Sequence, residues 1–445
     1  MAEVTGVDKL PVAVIGAGPV GLAAAAELLM RGAVPLVLEA GPTVGASVLE
    51  WGHVRIFSPW KYDIDPAARD LLETDGWIAP DGEVYPTGRE LVEGYLAPLG
   101  TVLAPYIRLR HRVSAVTRLG FDKLKTEGRD GAPFALTVDT PAGEQQLLAR
   151  AVIDASGTYG MPNPLGASGV LAQGEAALAD RIHYGIPDPL GRQRMRYEGK
   201  RVLVVGSGHS AFDVLIDLAQ LPATPITWLV RRPFADAKYG GASDDALPAR
   251  GALGTRMRAL VEQGRVAQAV LRIAAVREAG DGIHVSDGGH EIGPFDEIVA
   301  TTGFRPDLAP LREVRVRVDD VLEAPPALAP LIDPNVHSCG TVSPHGAREL
   351  AHPEKDLYIV GMKSYGRAPT FLMLTGYEQV RSIACALTGD VRGAASVELV
   401  LPATGVCSGG SDCCDGVDCG SAASTCCGTS SMQVIPVSAL TVARP

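Results

Sequence analysis

Cysteine is absent from most of this sequence and crowded at one end. No cysteine precedes Cys339, and six of the eight lie between Cys407 and Cys427. A fold stapled by disulfides needs cysteines spread along the chain. The first 338 residues therefore cannot hold a disulfide, and the C-terminal cluster indicates a local device.

Excess positive charge and long hydrophobic runs are also missing. The net charge is −11, with no basic stripe to offset it, so nucleic acid is not expected as a partner. No apolar run approaches the roughly 18 residues of a membrane helix, and the N-terminus MAEVTGVDKL lacks an apolar signal core. We expect a soluble, cytoplasmic protein. Its 445 residues, 46% of them hydrophobic, are enough for two or three domains.

The stretch from Val12 to Glu39 organises the chain. An apolar run is followed by Gly-x-Gly-x-x-Gly, an alanine-rich helical segment and a second apolar run. This pattern predicts a strand, a tight glycine turn, a helix that can receive a pyrophosphate, and a parallel strand whose terminal acid binds a ribose hydroxyl. The residues expected to bind this dinucleotide are Gly16, Gly18, Pro19, Gly21, Glu39 and Ala40.

A cluster of aromatic and basic residues follows between Glu50 and Trp60. It contains Trp51, His53 and Arg55, in a chain with only four tryptophans. If the dinucleotide is FAD, this segment could run beside the flavin ring, and these three residues are the catalytic candidates. The alternative is a loop that its aromatics hold against the core.

From Ile107 to Val152 the hydrophobic period changes to two. RLRHRVSAVTRL, FALTVDT and QQLLARAVIDA are three strand candidates separated by polar turns. The last leads to a small-residue turn at Asp154–Gly157, as expected for a strand that re-enters the sheet below the cofactor. Gly157 joins the expected site.

The same pattern then repeats. A strand at Arg201–Val205 precedes Gly-x-Gly-x-x-Ala, a permitted form of the glycine turn, and the next strand, Thr227–Val230, ends in two arginines. The planar fork of arginine suits a 2′-phosphate, which favours NADPH over NADH; the alternative is a solvated basic strand end. A later strand candidate ends in a turn that contains a glycine, as the strand before Gly157 does. The expected NADPH residues are Gly206, Ser207, Gly208, Ser210, Arg231, Arg232 and Gly303.

The repeat predicts an α/β fold with two Rossmann-like dinucleotide-binding domains, the second inserted in the first. Proline and glycine mark the expected linkers near 162–195 and 305–330. The expected ranges are 1–165 with 325–400 for FAD, 195–310 for NADPH, and 401–445 for a flexible tail.

The stretch from Asn335 to Gln379 should return the chain to the first domain. A strand ending in Gly361 and a helix starting near Ala368, with Pro369 early in it, could face the electron-rich edge of a reduced flavin. Gly361 and Thr370 are therefore expected at FAD.

Polar side chains in the same stretch have two further interpretations. The histidines and the cysteine could hold a metal, although their spacing matches no common zinc pattern; the alternative is loop histidines and a buried thiol. The basic residues could instead hold an anionic group. The first set is His337, Cys339, His345 and His352, and the second is Arg348, Lys363 and Arg367.

From Leu401 the composition falls to glycine, serine, cysteine and small residues, which cannot bury enough apolar surface to fold alone. Two vicinal cysteine pairs and two single thiols could grip one soft metal or metalloid. Alternatives are a dithiol arm that carries electrons from the flavin, a zinc or iron–sulfur site, and an unselected tail. The candidate ligands are Cys407, Cys413, Cys414, Cys419, Cys426 and Cys427.

With both glycine turns and both strand–glycine closures, residues 10–400 resemble the two-dinucleotide-binding-domain flavoproteins, and within them the flavin-containing monooxygenases. Ala300–Pro306 resembles the Ala-Thr-Gly-Tyr motif of that group. The whole chain also looks like flavoproteins encoded beside bacterial arsenic-resistance genes. Thioredoxin reductases share the architecture but carry Cys-x-x-Cys in the second domain, where this chain has no cysteine.

The resemblance implies FAD and NADPH as cofactors and a small-molecule substrate. The first hypothesis is an NADPH-dependent flavin monooxygenase that oxygenates sulfur, nitrogen or arsenic. The second is a thiol-linked or metalloid reductase that uses the tail, and the third is a metalloid-binding flavoprotein with little turnover. A homodimer is carried as a further hypothesis.

Overall fold

The first sheet forms around the run Val12–Ile15. In the computed structural model, which describes residues 6–233, 239, 248–334, 344–368 and 371–399, this run is fully paired on both sides. All five strands are parallel, in the order β16-β7-β1-β2-β3. Its central strands are buried on both faces, which explains their continuous apolar sequence. The strands are β1 Val12–Ile15, β2 Pro35–Glu39, β3 Ile107–Leu109, β7 Ala151–Asp154 and β16 Leu357–Ile359.

The second sheet repeats this arrangement. Its five strands are also parallel, in the order β11-β10-β9-β15-β8. The strands are β8 Ile182–Tyr184, β9 Val202–Val205, β10 Ile226–Val230, β11 Ala267–Val270 and β15 Glu297–Ala300.

Each sheet is accompanied by a three-stranded antiparallel meander. The strands of the first are β4 Arg112–Arg118, β5 Phe134–Thr140 and β6 Gly143–Ala149. Those of the second are β12 Ala275–Ala279, β13 Gly282–Ser286 and β14 Glu291–Phe295.

Helices cover the sheets, and helix α1 follows the first glycine turn as α7 follows the second. None of the helices in the described ranges is both long and apolar enough to span a membrane. The helices are α1 Pro19–Met30, α2 Ala46–Glu50, α3 Pro66–Thr74, α4 Gly88–Leu91, α5 Ala97–Val102, α6 Arg194–Tyr197, α7 His209–Leu218, α8 Pro248–Glu262, α9 Ala329–Ile332, α10 Met373–Thr388 and α11 Val391–Ala395.

The predicted fold class is confirmed. Two of the predicted strands, however, each divide into two strands in the structure. QQLLARAVIDA divides at Arg150 into β6, which is largely exposed and belongs to the meander, and β7, which is buried in the first sheet. RLRHRVSAVTRL likewise divides into the end of β3 and β4, because Arg110 turns the chain with a φ of 58°.

The helix expected near Ala368 begins five residues later, at Met373. The chain after β16 first forms a 3-10 turn over Gly361–Tyr365, and Gly366 then adopts a φ of 58°. Leu372, which caps α10, is extended. Pro369 lies outside the described residues.

Two crossings connect the sheets, and they pair with each other. The backbone N–H of Arg305 donates to Met161 (3.0 Å), and that of Asn163 donates to Gly303 (2.9 Å). We call these paired segments, 161–163 and 303–305, the crossing ribbon. Strand β8, which pairs with β15, lies within the stretch 162–195 that we interpreted as a linker.

All the described residues belong to one compact unit of the chain, Met1–Gly410. Several predicted residues lie outside the described part of the chain. They are Thr370, His337, Cys339 and the tail cysteines Cys407, Cys413, Cys414, Cys419, Cys426 and Cys427.

Candidate functional site

The first glycine turn brings β1, α1 and the end of β7 into contact. A Cβ atom on Gly16 would lie 2.8 Å from the Ala155 carbonyl oxygen, and one on Gly21 would lie 2.0 Å from the Gly16 carbonyl oxygen. Gly18 faces open space and caps α1, with Pro19 in the first helical position. The free N–H groups at this helix start are therefore available to bind a pyrophosphate.

Glu39 is held against this turn. Its two carboxylate oxygens accept hydrogen bonds from the backbone N–H groups of Ala17 and Gly41, each at 2.7 Å. Ala40 lies between Glu39 and Gly41 in the sequence. A carboxylate oxygen has a second lone pair, so Glu39 can still accept from ribose hydroxyls at the end of β2.

Gly157 and Gly361 lie at the same edge of the first sheet as the glycine turn. This follows because β7 pairs in parallel with both β1 and β16. Gly157 has a φ of 70° and open space where a side chain would stand. A Cβ atom on Gly361 would lie 3.4 Å from Val20 of α1. The glycine turn and the ends of β7 and β16 thus lie along one edge of the sheet, as an extended dinucleotide requires.

A buried polar network behind Gly361 was missed in the sequence. The Gln379 side chain accepts from the Gly361 N–H (2.8 Å) and donates to Ser364 (3.0 Å). Its amide nitrogen also lies 2.9 Å from Nε2 of the buried His345. The local sequence carried no clear signal, because Gln379 shares its part of α10 with other buried polar residues such as Thr375 and Ser382.

The second glycine turn has the same construction. A Cβ atom on Gly206 would lie 2.3 Å from Thr301 Oγ1, and Gly208 caps α7. Ser207, Gly208 and Ser210 are exposed, so the start of α7 is open to a ligand. Gly303 follows Thr301 by two residues and belongs to the crossing ribbon.

Arg231 and Arg232 follow β10 directly, and both are exposed. Strand β10 pairs in parallel with β9, so both strands end at the same edge of the second sheet. The two guanidinium groups are therefore at the edge where the second glycine turn lies. This arrangement can bind a phosphate bidentately.

The three catalytic candidates are not brought together around one point. Trp51 is half-buried beside Gly88, and Arg55 is 60% exposed, where it donates to the Tyr85 carbonyl. His53 contacts the Pro187 carbonyl at 2.8 Å. Of the three, His53 is the one that reaches the stretch between the two sheets.

Phe57 makes a second contact between the loop that carries Trp51, His53 and Arg55 and the domain of the second sheet. Its ring lies 5.7 Å from the ring of His209, the first residue of α7, in an edge-to-face arrangement. The segment from Trp51 to Phe57 therefore lies between the first core and the second glycine turn. Burial and the charges of Arg196, Arg192 and His53 lower the pKa of nearby His183 to about 4, so that imidazole is neutral at pH 7.

Within the described part of the stretch from Asn335 to Gln379, the histidines and basic residues do not form one site. No group of three or more metal-ligating side chains occurs within the described ranges. Arg348 is exposed and pairs with Glu349, Arg367 pairs with Glu323, and Lys363 is buried. His345 and His352 are buried, with Gln379 and Arg317 respectively as neighbours.

Two parallel sheets, each with a glycine turn, an adjacent helix start and a polar strand end, define a flavoprotein oxidoreductase with sites for two dinucleotides. Comparison with protein families places the chain: residues 13–330 match the pyridine nucleotide-disulphide oxidoreductase model, and the chain belongs to that family. It is an FAD-dependent NAD(P)H oxidoreductase.

Relatives and solved structures agree with this assignment. The chain is 30% identical to a ferredoxin–NADP reductase of Salinispora arenicola, over 70% of this chain and 79% of that protein. Its fold is similar to that of the bacillithiol disulfide reductase of Bacillus cereus (TM-score 0.62, 19% identity, 85% and 99% of the two chains). It is also similar to that of a flavin-containing monooxygenase of Stenotrophomonas maltophilia (TM-score 0.53, 23% identity, 85% and 98%).

Proposed function

We propose that the protein is an NADPH-dependent monooxygenase that transfers one oxygen atom to a soft nucleophile containing sulfur, nitrogen or arsenic. One observation carries the proposal: both nucleotide turns are present, yet no cysteine occurs in residues 1–338. Residues 1–338, which include both glycine turns, thus contain no dithiol to receive electrons from the flavin. The similarity of the fold to that of a flavin-containing monooxygenase supports the proposal.

The proposal divides the chain by cofactor. Residues 1–165 and 325–400 would hold FAD, and residues 195–310 would hold NADPH. Proposed FAD contacts are Gly16, Gly18, Pro19, Gly21, Glu39, Ala40, Gly157, Gly361 and Thr370. Proposed NADPH contacts are Gly206, Ser207, Gly208, Ser210, Arg231, Arg232 and Gly303.

The reaction balances with one nicotinamide and one oxygen molecule. FAD, when bound, accepts the hydride of NADPH and activates oxygen. One oxygen atom then joins the lone pair of the substrate, and the other leaves as water with the two electrons and one proton of the hydride and a second proton from solvent. The protein positions both nucleotides and keeps water from the reacting atoms, and we propose that the segment from Trp51 to Phe57, with its apolar rings, contributes to that exclusion.

The six tail cysteines favour a second candidate, a flavin-linked thiol or metalloid reductase. Six cysteines within 21 residues, two pairs of them vicinal, could hold a thiophilic metalloid or shuttle electrons. A metalloid-binding flavoprotein with little turnover uses the same cysteines. The resemblance to flavoproteins encoded beside arsenic-resistance genes supports a metalloid as substrate or ligand.

An anaerobic NADPH titration separates the candidates. For the monooxygenase we expect one NADPH to be consumed per FAD, with no change in free thiols. The titration is repeated with all six tail cysteines changed to serine, and with Cys385→Ser as the control, because Cys385 is a buried thiol outside the tail. If the wild type consumes more than one NADPH and gains thiols that the six-serine variant lacks, the protein is a reductase.

A second titration, with oxygen, tests the destination of the electrons. With isotopically labelled O₂ we offer a thioether, a tertiary amine and arsenite, and expect one labelled atom in at least one product. Arsenite binding by wild type but not by the six-serine variant, without a labelled product, would favour the metalloid-binding flavoprotein. Because a relative is named a ferredoxin–NADP reductase, ferredoxin is offered as well. Rapid NADPH-dependent reduction of ferredoxin with no labelled product would contradict the proposal.

A further inference from the structure

A buried ion pair joins the ends of β7 and β16. The Lys363 ammonium donates to Asp154 Oδ2 at 2.7 Å and to Ser156 Oγ at 3.0 Å. Ser156 donates in turn to Asp154 Oδ1 through its hydroxyl (2.6 Å) and its backbone N–H (3.1 Å). Both charged side chains are 2% exposed. The charge of Lys363 is therefore shielded from solvent and held in one place.

This ion pair adjoins the edge proposed for FAD. Ser156 is the link, because a Cβ atom on Gly16 would lie 3.1 Å from its Cα atom. Asp154 is the last residue of β7, and Lys363 lies in the 3-10 turn that Gly361 opens. The pair thus lies within three residues of both Gly157 and Gly361, at the carboxyl edge where cofactors of such sheets bind.

Fold stability alone is a poor reason for such a pair. Removing two ions from water offsets much of their attraction, and a well-packed apolar pair of similar size often stabilises a core as well. A charge in a dry environment, however, acts on neighbouring charges with little screening. The ion pair is thus better suited to influence a neighbouring charge than to stabilise the fold.

We propose that the charge of Lys363, held in place by Asp154 and Ser156, sets the reduction potential of the flavin. The proposal rests on FAD occupying the edge described above. Reduction by NADPH transfers a hydride to the flavin and releases NADP⁺, so negative charge grows at the cofactor. The Lys363 ammonium stabilises that charge, and Asp154 limits the effect by opposing it.

The test uses variants with opposite signs. Lys363→Met leaves the Asp154 carboxylate and should disfavour reduced flavin, whereas Asp154→Asn leaves the ammonium and should favour it. For each we expect about a tenfold change in the ratio of reduced to oxidised flavin at a fixed potential, or about 30 mV for a two-electron couple. The double variant should return close to the wild-type potential.

Glu354→Gln is the matched control. Glu354 is equally buried and ion-paired, but it precedes β16 and so lies at the opposite edge of the first sheet. Glu354→Gln should leave the reduction potential of the flavin unchanged. Lys363→Arg keeps the positive charge and should therefore show the wild-type potential. Circular dichroism verifies that each variant is folded.

The outcomes separate the two proposals. If Lys363→Met and Asp154→Asn bind FAD but shift the potential in the same direction, or not at all, the ion pair is structural and this inference is wrong. If the wild-type protein binds no flavin at this edge, so that Gly18→Asp leaves FAD binding unchanged, the proposed FAD site itself is wrong.

Discussion

Asp63 and Asp65 are buried carboxyl groups before helix α3. Asp63 accepts from Ser58 (2.5 Å), and Asp65 caps the helix by accepting from the Ala68 N–H (2.9 Å). Within the described part of the chain, the second oxygen of each carboxyl has no hydrogen-bond partner. Burial raises the pKa of Asp63 to about 7, and burial with the nearby charge of Glu27 raises that of Asp65 to about 8.

These shifts predict that stability falls as the pH rises. The folded protein holds protons that the unfolded chain releases near pH 4, so their contribution is complete below pH 4 and is lost up to pH 7–8. Asp63→Asn and Asp65→Asn remain neutral and keep one acceptor. We expect each to raise the free energy of unfolding relative to wild type more at pH 8.5 than at pH 5, by up to roughly 4 kcal/mol, and so to raise the melting temperature more at the higher pH.

Thermal unfolding at the two pH values measures this difference. Asp70→Asn, on the exposed face of the same helix, is the control and should behave like wild type at both. An equal effect of the Asp63 and Asp65 variants at both pH values would show that these carboxyl groups are already ionised in the folded protein.

At the residue scale, the role of a residue was most predictable where a local chemical requirement allows only one residue type. Gly16, Gly21 and Gly206 had to be glycine because backbone and side-chain atoms stand where their Cβ atoms would be. The grouping of Trp51, His53 and Arg55 was less informative, since adjacent residues in a loop point in different directions. The partnership of Lys363 with Asp154 spans 209 residues and leaves no local pattern.

At the scale of elements, the end of β10 determines the preference between nicotinamides in our proposal. Charge-assisted hydrogen bonds to phosphate contribute about 1.5–3 kcal/mol. We therefore expect the double variant Arg231→Ala with Arg232→Ala to raise KM for NADPH by about 10- to 100-fold and to leave KM for NADH nearly unchanged. Steady-state kinetics with both nucleotides measures the effect.

Arg348→Ala is the control for that variant, because Arg348 is 91% exposed and lies outside the second sheet. It removes one positive charge from the surface without touching the proposed site. A rise in KM of similar size for NADH and NADPH would mean that the arginines do not recognise the 2′-phosphate.

Elements were predictable in kind and less so in extent. The strand–turn–helix units were recognised because glycine spacing and apolar runs are short-range signals. The division of QQLLARAVIDA was not, because β6 and β7 differ in the sheet they join and not in their local sequence propensity. Similarly, the start of α10 depends on the turn that Gly361–Tyr365 makes against the first core.

At the scale of the whole molecule, Glu354 joins distant parts of the chain. It pairs with Arg118 (2.9 Å) and Arg129 (2.8 Å) and accepts from the Arg315 N–H (2.9 Å), and its side chain is 1% exposed. Burial alone would raise the pKa of Glu354, but these hydrogen bonds hold it below its usual value. The meander before the second sheet is thereby tied to the chain that returns after it.

Removing this carboxylate would leave two buried guanidinium groups unpaired. We expect Glu354→Ala to lower the free energy of unfolding by about 3–5 kcal/mol. Denaturant unfolding measures the change. Glu291→Ala is the matched control, because it breaks a half-exposed pair with Arg277 that solvent screens, and it should reduce stability far less. Equal losses for both would show that the buried network contributes no more than a surface pair.

The overall architecture was predictable because the sequence repeats one pattern twice. The role of β8 was not, since a three-residue strand next to the crossing ribbon carries too few residues to show a period. Its place is determined by pairing with β15, more than 110 residues later.

The pairing of β16 with β7 has a consequence for synthesis on the ribosome. The strands of the second sheet all lie within residues 182–300, whereas the first sheet is incomplete until residues 357–359 have been made. Domains tend to fold as units while the chain is being translated. We therefore expect the unit encoded in the middle of the gene to mature before the one encoded at its start, which must wait, exposed to chaperones and proteases, for its last strand.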